Sequence, residues 1–413
     1  MNLLIKPSQG SGTVTAPPSK SMAHRQLIAA ALAKEPRAVE NLDWSEDILA
    51  TLDCLRAMGA SVARSEDRVT IGSLDPFAVA EGTVLHCRES GSTLRFLLPL
   101  ALLCGRTVVF TGSERLLERP LEAYEGICAR QRLHYDRQRD RLTVRGPLRP
   151  DEFALRGDLS SQFVTGLLFA LPFLPEPSRL SLLPPVESGS YIDMTLAVLR
   201  NYGIRIVSVG GDRFHIPASQ KYRPHPVRVE GDWSNAAFLE ALNYLGGRVR
   251  VRGLDPLSRQ GDKVFSALVQ TLRQKRPVLN IADCPDLAPI LMALAAAGRG
   301  AVLEGTDRLK FKESDRGVVM AEELAKLGIQ AVADEHRIWV EDGSLRTPTE
   351  PLDSHNDHRI AMALTVLLTL VGGELRGAEA VAKSWPDFYD VLRSLGIVIT
   401  NVEDTTDEDG SGI

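Results

Sequence analysis

Apolar positions along the chain fall into runs of strand and helix length, and one arrangement of them recurs. A helical run ends in a short apolar turn, then a strand and a charged hairpin follow. LRAMGASVARSEDRVTI runs this way from Leu55, CARQRLHYDRQRDRLTV from Cys128 and LRNYGIRIVSVGGDRFHI from Leu199. LAKLGIQAVADEHRIWV does so from Leu324 and LRSLGIVIT from Leu392. The turn positions are Gly59, Arg132, Gly203, Gly328 and Gly396, at intervals of 73, 71, 125 and 68 residues. The long interval holds two shorter units, with a further helix expected at VFSALVQTLRQ. Six units of about 60–75 residues result, and a fixed period takes precedence over any local motif. Each unit has helix–strand–strand character, so the expected class is α/β with helices packed on sheets.

Six units divide into two domains of three. The chain is expected to cross between them near Thr15–Pro18 and again in PHPVRVEGD at 224–232, which reads as a linker. The N-terminal domain is then 15–227, and the C-terminal domain is 1–14 plus 228–402. The acidic, glycine-rich stretch 403–413 reads as disordered.

The stretch APPSKSMAHRQLIAAAL (16–32) carries a helix with Met22, Leu27, Ile28 and Ala31 on one face. Ser19 or Ser21 is the expected cap. Lys20, His24 and Arg25 sit in its first turns, where the helix dipole disfavours cations and favours anions. The other helix starts repeat the oddity. ESGSTLRF places Ser92, Thr93 and Arg95 there, and LSSQF places Ser160, Ser161 and Gln162. GDWSNAAF opens on Asp232 and Ser234, CPDLAP on Asp286, KESDRG on Ser314, Asp315 and Arg316, and NDHRIAMA on Asp357, His358 and Arg359. Capping accounts for one Ser, Thr or Asp at each start, and not for Lys20, Arg25, Arg95, Arg316 and Arg359 at the same end. Helix N-termini and cations aimed at one cleft would bind a multiply charged anion.

The net charge is −5, with 44% hydrophobic and 24% charged residues, so nothing global draws nucleic acid or an anionic membrane. A local cluster must build any anion site. The basic segment 130–149 is the one hint of nucleic-acid binding, and it overlaps a strand–hairpin whose solvated face explains its charge. No apolar run is long enough to span a bilayer, and MNLLIKPSQG lacks a signal-peptide core. A cytoplasmic protein is expected. Cys54, Cys87, Cys104, Cys128 and Cys284 form no C-x-x-C pair and read as free thiols. The absence of any Gly-Lys dipeptide excludes a P-loop, and no G-x-G-x-x-G follows a strand. His355 and His358 lack a third ligand, so no metal is expected.

Taken together, PPSKSMAHR, GSTLRF, ERP, SSQF, SYIDMT, DCPDLAP, KESDRG, NDHRIAMA and KSWPDFYDVL resemble the 5-enolpyruvylshikimate-3-phosphate synthase family, in the family order from Lys20 to Leu392. The resemblance implies two domains of three βαβαββ units joined by a two-stranded hinge. It implies transfer of an enolpyruvyl group from phosphoenolpyruvate to the 5-hydroxyl of shikimate 3-phosphate, by a monomer without metal or organic cofactor. By the same resemblance, Ser21, Arg25, Ser160, Ser161, Gln162, Ser188, Tyr191, Asp286 and Lys312 bind shikimate 3-phosphate. Gly91, Arg119, Gln162, Arg316, Arg359 and Lys383 bind phosphoenolpyruvate, and Lys20 serves both substrates and the chemistry. A side chain at Gly91 would crowd the small substrate.

Addition followed by elimination needs a base near the hydroxyl, an acid near C3 and cations around the leaving phosphate. Asp286 is the candidate base, and Glu313 is the candidate acid–base at C3, where it should be partly desolvated. Lys20, Arg25 and Arg119 fall in one half of the chain and Arg316, Arg359 and Lys383 in the other, so closure of the domains on the substrates is expected. Two positions depart from the commonest family form: Glu89 begins Glu-Ser-Gly-Ser, and Arg308 replaces an asparagine. The sister family, UDP-N-acetylglucosamine enolpyruvyl transferase, usually carries a loop cysteine five residues before the arginine of the ERP-like motif. Here that position is Glu114.

Overall fold

The computed structural model describes residues 1–402, and the expectation of a disordered 403–413 lies outside them. The chain divides into two compact units, Pro18–Glu230 and Met1–Pro17 with Gly231 onward. The first carries seven helices: α1 (Lys20–Leu32), α2 (Glu46–Ala57), α3 (Gly91–Ala101), α4 (Glu114–Glu118), α5 (Glu122–Gln131), α6 (Ser161–Ala170) and α7 (Gly189–Asn201). The second carries α8 (Trp233–Tyr244), α9 (Phe265–Leu272), α10 (Ala288–Ala297), α11 (Arg316–Lys326), α12 (His358–Val371) and α13 (Phe388–Ser394).

The three sheets of the Pro18–Glu230 unit share one pattern, a parallel pair followed by two antiparallel strands. Val227–Arg228 runs parallel to Arg37–Glu40, which leads to Arg68–Gly72 and Ser61–Ser65. Thr83–His86 runs parallel to Thr107–Thr111, followed by Arg141–Arg145 and His134–Arg137. Glu152–Arg156 runs parallel to Ser178–Leu183, followed by Arg213–Ile216 and Val207–Val209.

The second unit repeats the pattern twice. Val278–Asn280 and Ala301–Glu304 head one such sheet, and Leu352–Asp353 and Gly373–Arg376 head the other. The latter recruits the N-terminal strand Asn2–Ile5, which ties the first residues of the chain to the unit that contains its later half. The sixth sheet is reduced to the parallel pair Ser11–Thr15 and Arg248–Arg252. These six small sheets fit repeated βαβ units in two domains.

The recurring turns have a single cause. α2, α7, α11 and α13 each run into a glycine at positive φ: Gly59 at 108°, Gly203 at 78°, Gly328 at 86° and Gly396 at 88°. A left-handed residue there satisfies the last helical carbonyls and turns the chain back towards the sheet. In α5 the same position is Arg132, at φ 56°. Helix starts are capped by Ser19, Ser90, Ser160, Asp232, Asp315 and Asp357, each accepting from a backbone N–H of the first turn. Two of these caps, and the place of Asp286, refine the sequence reading. Of the two serines considered for α1, Ser19 is the cap. α3 is capped by Ser90, ahead of Ser92 and Thr93. Asp286 does not open a helix directly but stands in a 3-10 turn, Pro285–Leu287, that feeds α10.

Each unit has its own apolar core, with α3 and α6 inside the first and α10 and α12 inside the second. The approach of α3 to α6 is close enough to need a glycine. A Cβ on Gly166 would stand 2.3 Å from both Arg95 O and Tyr124 Oη. Tyr124 Oη itself donates to Arg95 O at 2.6 Å, so neither atom can withdraw cheaply. Gly166→Ala is therefore expected to destabilise this unit by about 1–3 kcal/mol, although alanine is the better helix former. A lower melting temperature in calorimetry would show it, and an unchanged one would contradict the packing described.

Candidate active site

In the Pro18–Glu230 unit the starts of α1, α3 and α6 carry the polar residues. Lys20 is the first residue of α1, and its Nζ donates to Asp47 Oδ2 of α2 at 2.8 Å. The countercharge that the dipole cannot supply thus comes from a neighbouring helix. Arg25, one turn on, is buried. Its Nη1 donates to Ser21 O at 2.6 Å, its Nε to Thr195 Oγ1 at 2.9 Å and its Nη2 to Tyr191 O at 3.1 Å. The guanidinium also lies over the Phe96 and Tyr191 rings, at 5.2 and 5.9 Å from their centroids. Burial pulls its pKa down to about 10, which still leaves a cation at neutral pH. Ser21, Arg25 and Tyr191 are thereby gathered at the ends of α1 and α7, and Ser188 is the buried left-handed residue that begins α7.

The starts of α3 and α6 are joined through Gln162. Its Oε1 accepts from Arg95 Nη1 at 2.8 Å, and its Nε2 donates to Ser92 Oγ at 2.9 Å. Ser160 caps α6 and Ser161 is its first residue. At Gly91 a Cβ would meet Arg119 Nη1 at 2.8 Å and Arg95 Nη1 at 2.9 Å, so Gly91, Arg95, Arg119 and Gln162 form one cluster. Arg95 is one of the helix-start cations of the sequence, and here it orients Gln162.

His24 also finds its place. Its Nδ1 is 2.8 Å from Thr51 Oγ1, Thr51 Oγ1 is 2.6 Å from Thr93 Oγ1, and Thr93 Oγ1 donates to Ser90 Oγ at 2.8 Å. That direction makes Thr51 the donor to Thr93 and His24 Nδ1–H the donor to Thr51. Burial, reinforced by Lys20 and Arg25, holds the imidazole well below its ordinary pKa. A neutral histidine therefore links α1 and α2 to the cap of α3.

In the second unit one cation organises the rest. Arg316, the first residue of α11, is 1% exposed. Its Nε donates to Asp357 Oδ2, its Nη1 to Asp286 Oδ1 and its Nη2 to Glu313 Oε2, each at 2.8 Å. Burial disfavours the charge, but Asp357, Glu313 and Asp286 outweigh it and raise the pKa above the usual arginine value. Lys312 Nζ donates to Asp286 Oδ1 at 3.0 Å. Arg359 donates through Nη1 to Asn235 Oδ1 at 3.2 Å, and its Nη2 stands 3.8 Å from Asp286 Oδ2. Burial raises the pKa of Asp286, yet Lys312, Arg316 and Arg359 together hold it well below the usual carboxylate range. Lys312 is lowered, chiefly by burial and against the pull of Asp286. The Glu313 side chain is 16% exposed, partly desolvated beside Arg316. Lys383 Nζ donates to Asn356 O, next to the Asp357 cap.

His355 and His358 point to separate partners. His355 Nε2 is 2.8 Å from Glu323 Oε1, and the buried His358 lies 3.9 Å from Asp357 Oδ1. Among the described residues no group of three or more His, Cys, Asp or Glu could hold a metal ion. Arg308 donates through Nη2 to Ala282 O, four residues before Asp286.

The sequence model described as EPSP synthase (3-phosphoshikimate 1-carboxyvinyltransferase) matches residues 5–392. The chain belongs to the EPSP synthase family. A Clostridium kluyveri protein named 3-phosphoshikimate 1-carboxyvinyltransferase is 36% identical over 413 residues, covering 95% of this chain and 96% of its own. A Clostridium perfringens protein of the same name is 35% identical over 425 residues, covering 96% and 99%. The solved structure of EPSP synthase from Acinetobacter baumannii superposes with a TM-score of 0.78 at 23% identity, over 97% of this chain and 99% of that one. The enolpyruvyl transferase NikO from Streptomyces tendae gives 0.76 at 17% identity, over 97% and 98%. Those two likenesses show the shared fold.

Among these residues, Arg316 is the one whose loss should be felt most in stability. Arg316→Met would leave Asp286, Glu313 and Asp357 without their shared cation, at an expected cost of about 3–5 kcal/mol. Thermal melting against pH checks it. The deficit should shrink as pH falls, because each stranded carboxylate can then take up a proton. A deficit that stays constant down to acid pH would contradict this account.

Proposed function

We infer that this chain transfers the enolpyruvyl group of phosphoenolpyruvate to the 5-hydroxyl of shikimate 3-phosphate and releases phosphate, a step of chorismate and aromatic amino acid biosynthesis. The family match over residues 5–392 carries the reading. The cations at helix starts support it, since both substrates are phosphorylated carboxylates. We assign the reaction to the cytoplasm and to a monomer that needs no metal or organic cofactor.

The Pro18–Glu230 unit would supply Lys20, Ser21, Arg25, Ser160, Ser161, Gln162, Ser188 and Tyr191 towards shikimate 3-phosphate, and Gly91 and Arg119 towards phosphoenolpyruvate. The other unit would supply Asp286, Lys312 and Glu313 for acceptor and chemistry, and Arg316, Arg359 and Lys383 for the phosphoenolpyruvate charges. The 5-hydroxyl oxygen adds to C2 while its proton passes to a base and C3 gains a proton. The tetrahedral intermediate then expels phosphate as C3 gives up a proton, which restores the double bond.

Asp286 suits the hydroxyl as a hydrogen-bond acceptor, but three cations make it a weak base as it stands. Anionic substrates compete for those same cations, and their arrival raises the basicity of Asp286 when a base is needed. Glu313 shares Arg316 with Asp286.

Phosphate release measured with both substrates tests the reading. Lys20→Met should cut turnover by about a hundredfold or more while the fold is retained. Full turnover in that variant would remove Lys20 from the site. Turnover with a UDP-sugar acceptor and none with shikimate 3-phosphate would overturn the function itself.

A further inference from the structure

One buried acid beside the Arg316 cluster has no role in the scheme above. Asp262 lies in the 3-10 turn Gly261–Val264 that leads into α9, with 3% of its surface exposed. One carboxyl oxygen accepts from Ser234 Oγ, in the first turn of α8. The other is buried and has no partner. Its carboxyl takes part in no ion pair with a lysine or arginine among the described residues. Asn235, the neighbour of Ser234, holds Arg359 Nη1, and Arg359 Nη2 faces Asp286. Arg359 Nε is likewise buried without a partner.

An ionised carboxylate in such a place, with one hydroxyl donor and no cation in contact, is costly, and the group avoids the cost by keeping its proton. The charged groups around it act in both directions. Burial and then Asp286 raise its pKa, Arg359 opposes, Asp232 adds, and Lys312 opposes, leaving a value of about 7. Cys284, also facing it, is a high-pKa thiol and contributes no charge at neutral pH. Asp286, by contrast, stays ionised. Asp286 is thus held ionised, while Asp262 gains or loses its proton near neutral pH.

We propose that Asp262 is a positioning residue for charge: protonated, it leaves the attraction of Arg359 and Lys312 available to the anionic substrate, and ionised, it withdraws that attraction. The inference rests on the function proposed above and adds a residue to it. The sign follows directly. Below its pKa Asp262 is neutral and phosphoenolpyruvate binds well; as pH rises through about 7 it becomes an anion behind Arg359 and binding weakens.

The test compares wild type, Asp262→Asn and Ser234→Ala from pH 6 to 9. Asparagine keeps the shape of the neutral acid. The ratio of wild-type to Asp262→Asn KM for phosphoenolpyruvate should be near one at pH 6 and rise roughly tenfold by pH 8.5, with kcat changing less. Taking the ratio at each pH removes the titration of the substrate itself. Ser234→Ala loses the donor to the carboxylate, so its limb should move to higher pH. Infrared spectroscopy supplies a readout independent of turnover: a protonated-carboxyl band present in wild type at pH 6, absent from Asp262→Asn, and lost as pH rises through about 7. A flat KM ratio, or no such band at pH 6, overturns the proposal. Should Asp262→Asn fail to fold, the Ser234→Ala shift and the wild-type band decide it. Absence of phosphate release by wild type would defeat the functional reading and leave the infrared result to stand on its own.

Discussion

A guanidinium with no water around it must find its countercharges inside the protein, and Arg316 finds three. Asp286, Glu313 and Asp357 come from a 3-10 turn, the loop before α11 and the cap of α12. One buried cation thereby fixes the relative placement of three chain segments, and the remaining charged groups are arranged around that choice. Lys312 and Arg359 settle on Asp286 because its carboxylate is already ordered. Such a cluster is a weak source of net stability, since desolvation offsets most of the attraction. Its value is geometric. The side chains stand preorganised.

The Pro18–Glu230 unit meets the same constraint with different parts. Its cations also stand at helix starts, where the dipole is against them. Lys20 is balanced by Asp47, whereas Arg25 relies on carbonyls, a hydroxyl and two aromatic faces. Among the described residues no carboxylate is ion-paired with Arg25, which leaves its charge available to a ligand. The neutral His24 completes the arrangement. A protonated imidazole between Lys20 and Arg25 would add a third positive charge at one helix end. Burial and those two neighbours prevent it, and the ring serves as a hydrogen-bonding strut.

What could be read from the sequence follows from what is local. The repeat was legible because each unit ends its helix in the same left-handed turn, and glycine marks that turn four times in five. Arg132 breaks the mark without breaking the geometry, so its unit was recognised by its hairpin. The sixth sheet reads poorly, being only the pair Ser11–Thr15 and Arg248–Arg252, whose strands lie far apart in the chain. Helix starts were found to within a residue or two, because serine and aspartate cap through their own backbone neighbours. Asp47, Thr51 and Asp262 were not singled out. Each is an ordinary polar residue by its local context, and only tertiary packing brings Asp47 to Lys20, Thr51 to His24 and Asp262 to the Asp286 cluster.

The contrast between Asp286 and Asp262 shows how little side-chain identity decides. Both are aspartates and both belong to one group of charges, Asp262 buried and Asp286 with a fifth of its side chain exposed. Asp286 touches three cations and is held ionised; Asp262 touches a serine hydroxyl and is driven towards neutrality by its burial first and by the charge of Asp286 second. Ionising both would place two anions against the cations proposed to bind substrate. Protonating both would leave Arg316 and Lys312 short of partners. On the role proposed for Asp262, its proton beside an ionised Asp286 keeps the cluster ordered and still attractive to an anion.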